Sequence, residues 1–362
     1  MNPLIWTGLG LGTLFGFALQ RGRFCMNSAF RDILLMRDFT VFKAVAAAIL
    51  IQMVGFEVLA LTGVITLSPK PLLWGANIVG GLLFGVGMVV AGGCASGITY
   101  RVGEGMVGAM SAVLGFSLAG LATSAGLLNP IATYLQTSTK VMTADDKSLT
   151  LANVLGLPHY VVAFGLAAII ILLWLFFALR NREEGYDMGK ASLGESIFKR
   201  GWGWLAAGIV IGLIGIAAFP LSSATGRSYP LGITGGWVGI EKTIVTGENA
   251  ISWEALLVIG VVLGAAIAAL IAGEFKLRAP APAVLMQTFA GGLLMGFGAV
   301  TAGGCNIGHI LSGVPQLSVG SIVSGLSIIA GAWIAGYLLF MRPEKAPAPQ
   351  PLVSSSARPA GD

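Results

Sequence analysis

The sequence predicts an all-α polytopic membrane protein: about nine transmembrane helices arranged as an inverted repeat about a pseudo-two-fold axis. Three observations carry this. Hydrophobic residues make up 56% of the 362 and charged residues 10%, against about 25% charged in soluble domains. Apolar runs of bilayer-crossing length, roughly 17–25 residues, recur along the whole chain. One stretch is written twice: GGLLFGVGMVVAGGCASG at 80–97 returns without a gap as GGLLMGFGAVTAGGCNIG at 291–308, which sets Cys94 over Cys305.

The apolar segments run 3–20, 44–66, 73–93, 106–128, 159–179, 203–220, 253–273, 284–304 and 319–341. The first lacks the basic n-region and small-residue cleavage site of a signal peptide, so it is expected to remain as a helix. Together they form a single transmembrane domain, 1–341, with repeat halves at about 1–128 and 203–341 joined by 129–202. The tail 342–362 is rich in Pro, Ser and Ala and is expected to be disordered and cytoplasmic.

Loop charges orient the segments. Arg180, Arg182, Lys190, Lys199 and Arg200 mark one cytoplasmic loop, and Arg21, Arg23, Arg31, Arg37 and Lys43 another. Lys276 and Arg278 mark a third. The loops 129–158 and 221–252 hold only two basic residues each. All five fit an N-terminus outside and a C-terminus inside. The segment before Cys94 then runs inward and the segment before Cys305 outward, so the second copy is inverted. Such repeats place a substrate site near the midplane. A weaker match extends the repeat: Gly22-Arg23-Phe24-Cys25 answers to Gly226-Arg227-Ser228-Tyr229, with tyrosine in place of the third cysteine.

The net charge of +5 sits in loops and does not point to nucleic acid; lipid is the expected surrounding. Three widely spaced cysteines make neither a disulfide framework nor a zinc site. No Walker, GxSxG or HExxH motif is present, so no ATP hydrolysis, enzyme activity, cofactor or resident metal is expected.

Gly81-x-x-x-Gly85 and Gly292-x-x-x-Gly296 are read as packing faces. The pairs Gly92-Gly93 and Gly303-Gly304 are read differently. They fall near the ends of apolar runs, where irregular backbone is tolerated only if buried or lining a cavity. A membrane cysteine is ordinarily a small apolar filler. Here all three adjoin glycine, arginine or aromatic residues at segment ends, which makes Cys25, Cys94 and Cys305 candidates for contact with a sulfur-bearing anion. Thiols bond weakly, and conduction needs binding that permits exit. Backbone N–H groups after Gly93 and Gly304 would assist an anion. Arg23, Arg101 and Arg227 lie near the breaks as candidate attractors of an anion, whereas Arg21 and Arg31 read as positive-inside anchors. Glu57, inside the second segment, reads as a proton-coupling group or the buried partner of an arginine. His309, four residues after Cys305, reads as structural.

The segments LQRGRFCMNSAFRD (19–32), VVAGGCASG (89–97) and VTAGGCNIG (300–308) resemble the YeeE/YedE family of bacterial sulfur-transport membrane proteins. The resemblance implies inner-membrane thiosulfate uptake for sulfur assimilation, nine transmembrane helices, re-entrant helical hairpins and pseudo-two-fold symmetry. It implies a relay of thiosulfate along Cys25, Cys94 and Cys305 by S–H···S contacts. It also implies a small cytoplasmic TusA-like sulfur-carrier partner, here expected as a separate protein because the tail is short. The pattern leaves three competitors: another sulfur or selenium compound as cargo, a membrane thiol sulfurtransferase, and a soft-metal transporter using the cysteines with His309.

Overall fold

The computed structural model describes residues 3–180 and 193–341. The tail 342–362 and the part of the basic loop from 181 to 192 lie outside the described residues. The chain folds as α1 (Trp6–Arg21), α2 (Met26–Met36), α3 (Thr40–Leu61), α4 (Trp74–Val90), α5 (Ala95–Gly103), α6 (Val107–Ser124), α7 (Asn129–Ser138), α8 (Leu151–Leu155), α9 (His159–Arg180), α10 (Leu193–Phe198), α11 (Trp204–Ser223), α12 (Thr234–Thr246), α13 (Trp253–Ile271), α14 (Pro282–Ala302) and α15 (Val319–Gly336). Among the described residues, nine helical stretches are long and apolar enough to cross a membrane. The short helices α2, α5 and α12 and a π-helical turn, Ile307–Leu311, occupy what hydropathy alone reads as segment ends and loops.

The helices pair in a patterned way. The element pairs α1–α13 and α3–α11 pack together, as do α4–α15 and α6–α14, with α4 against α14 between them. Exchanging α1 for α11, α3 for α13, α4 for α14 and α6 for α15 maps this set of pairings onto itself. Backbone-to-backbone approach explains the pairing. A side chain added at Gly81 or Gly85 would strike Ser327 and Ile328 of α15; one at Gly292 or Gly296 would strike Ala112 and Phe116 of α6. Apolar surface gains nothing by leaving lipid, so close packing of small residues holds such helices together.

α9 stands at the periphery. Ile169 to Leu173 along it are all exposed, as befits a lipid-facing surface. In the connections, Leu72–Leu73 pairs antiparallel with Lys140–Val141, tying the entry of α4 to the segment after α7.

Candidate functional site

The three cysteines occupy the same local structure. Each of α1, α4 and α14 ends in a left-handed residue: Arg23 (φ 47°), Gly92 (φ 73°) and Gly303 (φ 82°). The next amide reaches back five residues: Phe24 to the Leu19 carbonyl (3.0 Å), Gly93 to Met88 (3.0 Å) and Gly304 to Ala299 (2.7 Å). This is the Schellman closure of a helix. The cysteine follows two residues after the left-handed one, and its carbonyl accepts the first helical bond of the next element: from Ala29 (3.0 Å), Ile98 (2.8 Å) and His309 (2.9 Å). Glycine takes the left-handed conformation freely; Arg23 does so at a cost of roughly 1 kcal/mol. After α11 the left-handed residue is Gly226 (φ 88°). Measured from it, Ser228 answers to Cys25, and Tyr229 stands one residue further along.

Tertiary packing then separates the thiols into two places. Cys25 and Cys94 are buried, with their sulfurs 3.8 Å apart. Both press on Gly97, where an added Cβ would lie 2.8 Å from one sulfur and 3.3 Å from the other. The Cys94 sulfur is also 3.5 Å from the Ser96 hydroxyl. Cys305 lines a pocket of about 300 Å³ with Lys70, Arg227, Tyr229, Glu254 and the glycines 303, 304 and 308; neither other thiol contributes to it.

Both glycine breaks are capped by a cation. Arg101 Nη1 donates to the Gly92 carbonyl at 2.5 Å, and Lys70 Nζ donates to the Gly303 carbonyl. Lys70 is held in place by its loop: Pro69 and Pro71 flank it, the Gln316 side chain accepts from the Ser68 amide (2.8 Å), and the Ser318 hydroxyl donates to the Lys70 carbonyl (2.8 Å). Its ammonium lies 5.0 Å above the Tyr229 ring. Burial, opposed by Cys305 and Glu254 and reinforced by Arg227, brings it down to about 8. Tyr229 donates to the Gly308 carbonyl at 2.6 Å, and burial pushes its phenol up, so it stays neutral. Arg227 pairs with Glu254 at 3.1 Å and donates to the carbonyls of Tyr229 (2.7 Å) and Pro230 (2.6 Å). The pocket therefore presents a soft thiol and two cations against a single carboxylate, a composition suited to a small sulfur-bearing anion.

The remaining candidates fall elsewhere. Arg23 is engaged by Glu104 (3.2 Å) and Glu274 (2.8 Å). Arg21 is buried, paired with Glu274 (2.5 Å), and donates to the Gln20 side chain and the Lys199 carbonyl. Burial raises the Glu274 carboxyl, but the bond from Gln20 and the charges of Arg23 and Arg21 outweigh it and hold the group below its usual range. Glu57 is partnered by a histidine, not an arginine: its carboxylate is 2.7 Å from His159 Nδ1, whose Nε2 lies 3.2 Å from the Gln316 carbonyl. Both ring nitrogens of His309 are taken, by Ser321 (3.2 Å) and the Ala302 carbonyl (3.1 Å). Gly93 packs on Arg101 and Ile98, Gly304 on Lys70. Sequence reasoning missed Lys70 and Gly97. Lysine between two prolines, just before the repeated segment, was a signal for the first; the second lies inside the repeat itself.

Comparison with known proteins gives a consistent result. The family described as sulphur transport matches residues 21–334. A thiosulfate transporter TsuA from Spirochaeta thermophila is 42% identical over 348 residues, covering 94% of this chain and all of that one. TsuA from Escherichia coli K12 is 32% identical over 352 residues, covering 95% and 97%. A probable transporter YedE from Salmonella typhimurium is 36% identical over 107 residues, covering 29% and 26%.

Proposed function

The chain belongs to the sulphur transport family, and from that premise we propose that it carries thiosulfate across the bacterial inner membrane for sulfur assimilation. It is a multi-pass membrane protein, a transporter and not an enzyme. The observation that carries the substrate is likeness over nearly the whole length to two proteins named thiosulfate transporters. The pocket at Cys305 supports it chemically.

The proposed path follows from the loop charges. With the N-terminus outside, α14 delivers Cys305 to the outer side, while α1 and α4 deliver Cys25 and Cys94 to the inner side. Thiosulfate enters the pocket, where Lys70 and Arg227 replace part of its hydration and the Cys305 thiol meets its terminal sulfur. It then passes to the Cys25–Cys94 pair. Each S–H···S contact is weak, which lets the ion leave as easily as it binds. The N-termini of α2 and α5, beginning just after these two cysteines, add positive dipole ends. Arg101 shapes the inner break by holding the Gly92 carbonyl. The self-mapping helix pairings support an inverted repeat of halves 1–128 and 203–341. A TusA-like carrier on the cytoplasmic side is the proposed recipient.

Labelled thiosulfate uptake into proteoliposomes, with and without a proton gradient, tests this reading. Uptake that saturates and is lost on replacing Cys305 supports it; absence of uptake in the intact protein rejects it. Mass spectrometry after exposure separates the sulfurtransferase alternative, which leaves a persulfide on Cys94 or Cys305.

A further inference from the structure

Asn306 follows Cys305, and Met26 follows Cys25. Their side chains meet: the Asn306 amide nitrogen donates to the Met26 thioether sulfur at 3.0 Å, across 280 residues of chain. Both residues are fully buried. As a structural tie this is poorly made. Thioether sulfur is a weak acceptor, and buried polar groups ordinarily have a good partner. The other end of the amide is no better served. Among the described residues, Asn306 Oδ1 accepts no hydrogen bond, and neither does Oδ1 of Asn27, the residue after Met26. A contact made for stability would satisfy these atoms. A contact that must be surrendered to a passing ligand would not.

Its position suits that use. Cys305 lines the pocket and Cys25 touches Cys94. Chain neighbourhood and contact thus order the side chains as Cys305, Asn306, Met26, Cys25 and Cys94. A ligand handed from the pocket to the thiol pair along these residues meets the amide–thioether contact midway.

We infer that Asn306 is a substrate-binding residue of the path: its amide donates to Met26 when the path is empty and to the sulfur or an oxygen of the anion in passage. Met26 is a placeholder. An anionic sulfur or oxygen is a stronger acceptor than a neutral thioether, so the exchange favours the ligand. The weak resident bond also keeps the amide aimed without locking it. The inference rests on the transport reading above.

Two substitutions separate the placeholder from a tie. In proteoliposomes, Asn306→Leu, which removes the donor, lowers maximal thiosulfate uptake at least about tenfold. Thiosulfate binding to the purified variant, read as a thermal shift from the pocket at Cys305, stays within about twofold of wild type. Met26→Leu frees the amide from its competitor, so the maximal rate is kept and the half-saturating concentration falls by about threefold. Parallel loss of uptake in the Asn306 and Met26 variants makes the contact a tie and overturns the assignment. Wild-type uptake in Asn306→Leu overturns it equally. Failure of the unmodified protein to take up thiosulfate strikes the transport reading instead.

Discussion

The sulfurs of Cys25 and Cys94 lie 3.8 Å apart, in thiol–thiol contact and not joined by a disulfide. Two helix breaks 69 residues apart place them there. A disulfide requires about 2.0 Å, a closure of under 2 Å that would remove both thiols from the path. Mild oxidation of the reconstituted protein is therefore expected to stop thiosulfate uptake, and dithiothreitol to restore it. Cys25→Ser and Cys94→Ser should form no such bond under the same oxidant, as read by mass spectrometry. Oxidant-insensitive uptake in a protein shown by mass spectrometry to hold the Cys25–Cys94 bond would refute a role for this pair.

Gly97 is the floor on which both thiols rest. The Cβ of Gly97→Ala would lie 2.8 Å from the Cys25 sulfur, too close for a closed-packed site to absorb at no cost. The expected destabilisation is about 1–3 kcal/mol, with uptake reduced beyond the loss of folded protein. Gly92→Ala provides the contrast. Nothing lies within 4 Å of its added Cβ, but its backbone sits at φ 73°, so its cost of roughly 1 kcal/mol is conformational. Thermal melts and uptake per folded molecule distinguish the two.

Cys305→Ala and Cys94→Ala should each insert normally and lose at least about tenfold of thiosulfate uptake. The variants differ in one respect: only Cys305→Ala should weaken binding at the pocket, because Cys94 does not line it. Isothermal titration of the purified proteins provides the check.

Lys70 gives the pocket a pH dependence. Below about 8 its amine is protonated and the pocket carries the cation; above, it is neutral. Thiosulfate affinity should thus fall as pH rises from 7 to 9, and binding near pH 8–9 should take up a proton. Stability moves the other way. The folded protein releases this proton below the ordinary 10.5 of the unfolded chain, so the Lys70 contribution rises with pH between about 8 and 10.5. Lys70→Gln should flatten the affinity profile; an unchanged profile would remove Lys70 from the site.

Glu57 is expected to act structurally. Its contact with His159 joins α3 to the start of α9, with the Gln316 carbonyl on the other ring nitrogen. Glu57→Gln should lower the melting temperature, at a cost of about 1–3 kcal/mol, and leave the response of uptake to a proton gradient unchanged. A lost gradient response with stability intact would return Glu57 to a coupling role.

Much of the site was written in the chain. The glycine–cysteine breaks at 92–94 and 303–305 are visible because a helix closure needs a left-handed residue beside an apolar run, and both features are local. Arg23 is harder to see, since arginine fills the left-handed position where glycine stands in the other two. The counterpart of Cys25 shifts from Tyr229 to Ser228 for the same reason: the turns align by backbone conformation, not by the shared Gly-Arg letters. The partner of Glu57 was misread because hydropathy registers a charge without saying what neutralises it.

Hydropathy and the twice-written motif determined the membrane class, the nine helical stretches long and apolar enough to cross a membrane among the described residues, and the positions of the three thiols at helix breaks, since each depends on residues near one another in sequence. Only the tertiary structure decided that Cys94 meets Cys25, while its repeat mate Cys305 faces Lys70 and Arg227. The Lys70–Gly303 contact spans 233 residues, and the Asn306–Met26 contact 280. Such pairings are set by how glycine-lined helices approach one another, a property of matched surfaces that no single segment carries.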